Sequence, residues 1–301
     1  MTPAEQGFLL LTSHLGNPNR KPLTVAQFRD LAFKVRQLNR PAGNPILRPE
    51  DLEQLGCSPV MAMRIVRLLE SRLELEQYLS RGSRQGCVPV YRISPSYPAK
   101  VRKKLGLDAP GCLWTRGNLS LLEKPAAALV GSRNLKEANG FFAREAGRQA
   151  ALQGYVLVSG NARGADRTAQ DSCLRHGGQV ISVVADRLCS HPASDQILYL
   201  SEDGFDEEFS AQRALSRNRI IHCLGDLTFV AQSDLGQGGT WDGTTKNLRR
   251  GWSPVYCCQD GSPGIRELIR LGAGPVSLQD LDHFDDLLPR ETEIQMEEFY
   301  E

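Results

Sequence analysis

Three short segments of this chain hold the residue types that bind phosphate. They are Gly131-Ser132-Arg133-Asn134, Ser159-Gly160-Asn161-Ala162-Arg163-Gly164-Ala165-Asp166 and Ser233-Asp234-Leu235-Gly236-Gln237-Gly238-Gly239-Thr240. Glycine lets a backbone approach an anion closely, and a helix N-terminus aims free amides and a partial positive charge at it. The guanidinium forks of Arg133 and Arg163 match phosphate oxygens. A fourth segment, Arg217-Asn218-Arg219, adds two more guanidiniums if its helix projects them to the same place. Arg163 is open to two readings, a phosphate contact or an ion pair with Asp166. Neither G-x-G-x-x-G nor G-x-x-x-x-G-K-[ST] occurs at these loops, so neither a dinucleotide nor a P-loop nucleotide site is indicated. No catalytic constellation emerges either. His176 precedes Gly177-Gly178 as a helix-ending residue, His191-Pro192 reads as a turn, and Ser159 has no histidine placed by sequence to activate it.

The elements that must position these loops are legible from apolar runs. Ala126–Val130, Tyr155–Val158, Gln179–Val184, Ile197–Leu200, Leu227–Ala231 and Pro254–Cys257 are short and apolar, and helical stretches stand between most of them. Such runs without polar alternation mark a parallel sheet buried on both faces. The expected fold is α/β, a Rossmann-like doubly wound, mainly parallel sheet, whose ligands bind beyond the carboxyl ends of the strands. Each phosphate-type loop falls at such an end.

Ahead of the sheet, residues 1–85 read as a small helical domain. Thr24 opens a helix carrying Val25, Phe28, Leu31, Ala32, Val35 and Leu38, and Pro41 to Pro49 interrupts the pattern. A short helix ended by Gly56 and another from Ser58 through Leu73 follow, a helix-glycine-helix unit that serves either DNA phosphates or simple helix packing. The sheet domain is expected over 86–279 and an acidic tail over 280–301.

Composition narrows the class. In 301 residues, 41% are hydrophobic and 24% charged, the balance of an ordinary globular protein. No apolar run approaches a membrane span, and the N-terminal residues lack a secretory pattern, so a cytoplasmic chain is expected. The eight cysteines make no CxxC pair and read as reduced thiols, and the five scattered histidines give no metal site. The net charge of +1 conceals an asymmetry: residues 1–120 carry 18 Lys and Arg against nine acids, whereas 280–301 carry one Arg against nine acids. A basic front half attracts polyanions, and the acidic end is either a solvated segment or a competitor for the same surface.

The order of the motifs resembles the DNA-processing protein A family (DprA/Smf). Val130-Gly131-Ser132-Arg133, the complete S-G-x-A-x-G-x-D of Ser159 to Asp166, and Arg217-Asn218-Arg219-Ile220-Ile221 carry the resemblance. Ser96-Tyr97-Pro98, Leu113-Trp114-Thr115-Arg116-Gly117-Asn118 and the stretch from Gly264 to Ala273 extend it over about residues 49–276. The resemblance implies an extended Rossmann core that binds single-stranded DNA without much sequence preference. It further implies delivery of that DNA to a RecA-type recombinase in DNA uptake or phage defence, a homodimer, and no cofactor. Carried over by position, Gly131, Ser132, Arg133, Ser159, Gly160, Arg163, Arg217 and Arg219 contact phosphate, while Asn218 and Asp166 orient the loops. Gly164, Gly238, Gly239 and Thr240 complete the loops. Lys246, Arg249 and Arg250 either extend the basic track or are solvated.

The chain departs from the family at Gln170, where a histidine is usual, at Leu215-Ser216 in place of Phe-Pro, and at the loop Gly236 to Thr244. Gly238-Gly239-Thr240 is similar to a loop of the LOG phosphoribohydrolases, which cleave nucleoside monophosphates with a carboxylate; Asp242 is the nearest candidate. A nucleotide hydrolase or small-nucleotide sensor is therefore the alternative. Trp241 and Trp252 either stack on bases or pack their helix onto the sheet.

Overall fold

A computed structural model describes residues 1–36 and 47–289. Five helices come first: α1 (Pro3–Thr12), α2 (Val25–Val35), α3 (Pro49–Gln54), α4 (Pro59–Glu70) and α5 (Arg72–Arg84). Thr2 and Thr24 cap α1 and α2 in reciprocal capping boxes with Glu5 and Gln27. The helix expected from Ser58 through Leu73 breaks at Ser71, and Leu73 is exposed on the next helix. Leu38 and most of the proline-rich interruption lie outside the described residues. The buried Arg20 guanidinium donates to the carbonyls of Leu10, Ser13 and Leu68, tying the first helix to the fourth.

The remainder alternates strands with helices: β1 (Val88–Tyr91), α6 (Ala99–Leu105), β2 (Cys112–Gly117), β3 (Ala126–Val130), α7 (Glu137–Leu152), β4 (Val156–Ser159), α8 (Ala165–Arg175), β5 (Gln179–Val183), β6 (Ile197–Ser201), α9 (Ala211–Leu224), β7 (Leu227–Val230), α10 (Gly238–Arg250), β8 (Val255–Cys258), α11 (Pro263–Arg270) and β9 (Gly274–Val276). They form one nine-stranded sheet in the order β1-β2-β6-β5-β4-β3-β7-β8-β9. The seven strands from β6 to β9 in that order are parallel, and β2 and β1 are added antiparallel at one side. This is the doubly wound α/β sheet that the apolar runs indicate. The edge strands β1 and β9 are short and contain Pro89 and Pro275. They and β2 escaped the reading of apolar runs, because β1 and β9 are interrupted by proline and β2 turns polar after Cys112-Leu113-Trp114.

Alternation along β3 shows why the sheet is covered twice. Ala126, Ala128 and Val130 face one core with α9 and α11; Ala127 and Leu129 face a second with α7 and α8. The order places β3 beside both β4 and β7, so the chain reverses its direction of winding there and leaves a crevice at the carboxyl ends.

The N-terminal helices have a cluster of their own around Leu31, Leu52, Ala62 and Ile65, yet they also share a core with the sheet. Tyr78 of α5 meets Trp114 of β2 edge-on at 5.2 Å, and Phe205 packs on both rings. The segment after β9 corrects the expectation of a tail from residue 280. Leu281 and Phe284 are fully buried against the α7 face, Phe284 lies 4.9 Å from Phe229, and Tyr155 donates to Asp285. Apolar residues spaced along this acidic stretch dock it, whereas its charge had marked it as solvated. Residues 290–301 lie outside the described ones.

Candidate functional site

The site is built from the carboxyl ends of β3, β4 and β7. After β3, the Ser132 amide donates to the Gln232 carbonyl and the Ser132 carbonyl accepts from Ala165, so three strand ends are laced together. After β4 the chain turns through Asn161 (φ 59°) and Gly164 (φ 90°), both left-handed. A side chain at Gly164 would meet the Ser132 carbonyl at 2.5 Å, so glycine is required there for space as well as for conformation. Asp166 accepts from the amides of Gly160 and Ala162 and thereby shapes the loop. Burial pushes its carboxyl above the usual range, against the pull of the Arg217 guanidinium and those two amides.

Arg217 is the centre of the arrangement. It is 6% exposed, and its Nη2 donates to the Gly160 carbonyl at 2.7 Å. Its Nε and Nη1 have no protein partner although both are buried. A buried guanidinium with idle donors is costly unless an anion completes it. Two adjoining cavities reach it. One of about 380 Å³ is lined by Gly131, Ser132, Arg133, Asp166, Arg217, Asn218, Gly238, Gly239 and Thr240. The other, about 290 Å³, is lined by Arg133, Gly160, Arg163, Asp186, Phe209 and Arg217 among others. Arg133 and Arg217 thus face both.

Asn218 donates to the Gly239 carbonyl at 3.0 Å and so anchors the loop that opens α10. Arg163 does not pair with Asp166: its Nη2 reaches Asn134 at 3.3 Å, and the Asp166 carboxylate is turned to backbone amides. That resolves the two readings of Arg163 against the ion pair.

Three expected contacts stand elsewhere. Ser159 is fully buried and held by Gln170, which also reaches Ser182, so its hydroxyl faces the interior of the sheet. Gln170 fills with an amide bridge the place of the family's histidine. Arg219 lies two residues beyond Arg217, about 200° round the helix, and so points to the opposite side. There it pairs with buried Glu202 and donates to the Asp108 carbonyl. Lys246 pairs with Asp242 one turn back on α10 at 2.7 Å, and neither lines these two cavities. Asp242, the carboxylate singled out for nucleotide hydrolysis, therefore stands away from these two cavities, whose own carboxylates are Asp166, Asp186 and Asp234. Trp241 and Trp252 pack against the sheet core.

Among the lining residues missed by sequence reasoning, Asp186 and Phe209 are the two with a charged or aromatic side chain. Asp186 follows the apolar run ending at Val184, and a fourth strand-end loop was the available signal. Phe209 precedes α9 in an irregular segment and gave none. Among the described residues no group of three or more His, Cys, Asp or Glu side chains could hold a metal ion.

A buried, half-satisfied arginine set among the strand-end loops of a doubly wound sheet places this chain among Rossmann-like α/β proteins with a basic, glycine-lined crevice. Within that class, the chain belongs to the DNA recombination-mediator protein A family, whose sequence profile matches residues 89–284. The DNA processing protein DprA of Streptococcus pneumoniae is 34% identical over 180 residues, 55% of this chain and 63% of that protein. DprA of Bacillus subtilis is 27% identical over 171 residues, 53% of this chain and 57% of that protein. The matches thus cover less than two thirds of either relative's length. The X-ray structure of S. pneumoniae DprA superimposes with a TM-score of 0.69 at 24% identity, covering 93% of this chain and 97% of that one. A Helicobacter pylori DprA, described for its single-stranded DNA binding mode, gives a TM-score of 0.56 at 22% identity, covering 67% of this chain and 97% of that one. These two structures share the fold.

Proposed function

We propose that this chain binds single-stranded DNA through its phosphates at the cradle around Arg217 and delivers it to a RecA-type recombinase. The observation that carries the reading is the pair of idle, buried donors on Arg217, opening onto two cavities with Arg133 shared between them. Backbone recognition needs guanidiniums and free amides more than base-reading groups, and the loops supply both. The phosphate contacts are Gly131, Ser132, Arg133, Gly160, Arg163, Gly164, Arg217, Gly238, Gly239 and Thr240, with Asp166 and Asn218 holding the loops in place. Action as a homodimer in DNA uptake or phage defence, in the cytoplasm, belongs to the same proposal. Family membership and the single-stranded DNA binding of the H. pylori relative support it.

The test is fluorescence anisotropy of a labelled oligo-dT across a salt series. Binding should weaken steeply with salt, as expected when phosphate contacts release counterions. Arg133→Ala should lower both the affinity and the salt slope. Absence of binding at low salt would sink the DNA reading.

A further inference from the structure

Arg133, which faces both cavities, is exposed, and its Cζ lies 5.9 Å from the centroid of another exposed side chain, Phe209. Two exposed groups do not fix each other, so the place of this arginine depends on the backbone beneath it. That backbone is the link of residues 131–136, between the end of β3 at Val130 and the start of α7 at Glu137. Regular structure gives the link no support, because it belongs to neither helix nor strand.

Support comes from Gln232, just beyond β7. It is 7% exposed and meets the link at three places. Its carbonyl accepts from the Ser132 amide at 3.0 Å, its Oε1 accepts from the Lys136 amide at 2.9 Å, and its Nε2 donates to the Asn134 carbonyl at 3.0 Å. The residues on either side of Arg133 are thus both tied to Gln232. A backbone amide at one end and a backbone carbonyl at the other call for an acceptor and a donor on one side chain, which glutamine supplies and glutamate or methionine does not. The preceding carbonyl, of Ala231, accepts from buried Asn139 at 2.7 Å and ties the first turn of α7 to the same strand end.

We propose that Gln232 is a positioning residue for the phosphate cradle: it touches no ligand and acts by holding the 131–136 link so that Arg133 projects to the cavities. Gln232 lines neither cavity itself. It also opens the loop that leads to Gly238, Gly239 and Thr240, so one residue sets two sides of the larger cavity against each other. The proposal rests on the single-stranded DNA reading and adds to it a residue whose effect is exerted through another. Preorganisation of this kind lowers the ordering that binding would otherwise have to bring about.

The experiment uses the full chain with Gln232→Met, which keeps the length of the side chain and removes both polar ends. Gln232→Asn stands beside it, an amide one methylene too short to reach both partners. Without DNA, hydrogen exchange of the 132–136 amides should quicken roughly tenfold in either variant while β3 stays protected. With labelled oligo-dT, anisotropy should show affinity falling roughly fivefold and the salt slope falling by about 0.7, the share of one phosphate contact on a single strand. Arg133→Ala should then weaken Gln232→Met less than about twofold, because the arginine is already out of place. A role in stability alone would lower the melting temperature and leave the salt slope and the effect of Arg133→Ala as in wild type, and that result overturns the proposal. Affinity and slope like wild type in both variants overturn it as well and leave the DNA reading standing. No binding by the wild-type chain at low salt overturns the function and this inference together.

Discussion

The guanidinium of Arg217 lies directly over Gly160: a methyl group at position 160 would stand 1.5 Å from Nη1. The glycine therefore serves α9 as much as its own loop, because it vacates the space in which the arginine reaches the cavities. Gly160→Ala must displace the side chain and overpack a filled site, at a cost of about 1–3 kcal/mol. Oligo-dT affinity should fall at least tenfold in the same variant. Unchanged affinity would mean that Arg217 need not occupy this position to bind.

Arg217 and Asp166 are buried beside each other, and each offsets the other's desolvation. Arg217→Met alone leaves a lone buried carboxyl and should destabilise by about 3 kcal/mol or more, whereas Arg217→Met with Asp166→Asn should recover a large part of the loss. Urea denaturation of the two single variants and the double variant measures the coupling. Additive effects would show that the two groups do not support each other.

His222 of α9 is enclosed against β7 and α10, where its Nδ1 accepts from the Asn247 amide and lies 3.4 Å from the Thr228 hydroxyl. Burial lowers its pKa to about 3, with the nearby Lys104 charge adding to the effect. The native imidazole stays neutral while the unfolded one gains a proton below its ordinary value of about 6.5. Stability is therefore complete above that value and declines as pH falls towards 3. Between pH 7 and pH 4.5 the loss from this group should be about 2–3 kcal/mol. Urea denaturation at the two pH values should show His222→Gln losing less than wild type by that amount. A parallel decline would assign acid sensitivity to other groups.

The segment after β9 supplies a further test. A chain ending at residue 279 lacks Leu281 and Phe284, both fully buried, and should unfold at a lower temperature than a chain ending at Pro289. Phe284→Ala in the full chain should cost about 3–5 kcal/mol. Equal melting temperatures for the two truncations would show that the docked turns add nothing to the core.

Much of this molecule is readable from residue types, and the failures are instructive. The parallel sheet announces itself because strands such as Ala126–Val130 are apolar on both faces, and the loops at their ends follow from the rule that governs such sheets. The inward turn of Ser159 was not readable, since a strand's last residue can face the crevice or the core and only the partner, Gln170, decides. Arg219 was separable from Arg217 by helical periodicity alone, a step that the shared motif obscured. Charge marked residues 280–289 as solvated although Leu281 and Phe284 carried the opposite signal. Phe209 and Asp186 come together through the fold, 23 positions apart, and no local pattern joins them.

Both outer strands of the sheet carry proline, Pro89 in β1 and Pro275 in β9, and they are four and three residues long. A proline offers no amide hydrogen, so each margin presents an incomplete ladder to any strand that might align with it. Chain-to-chain growth by sheet extension is therefore discouraged at both ends at once. The two margins of the broad parallel sheet are thereby made poor templates for an added strand.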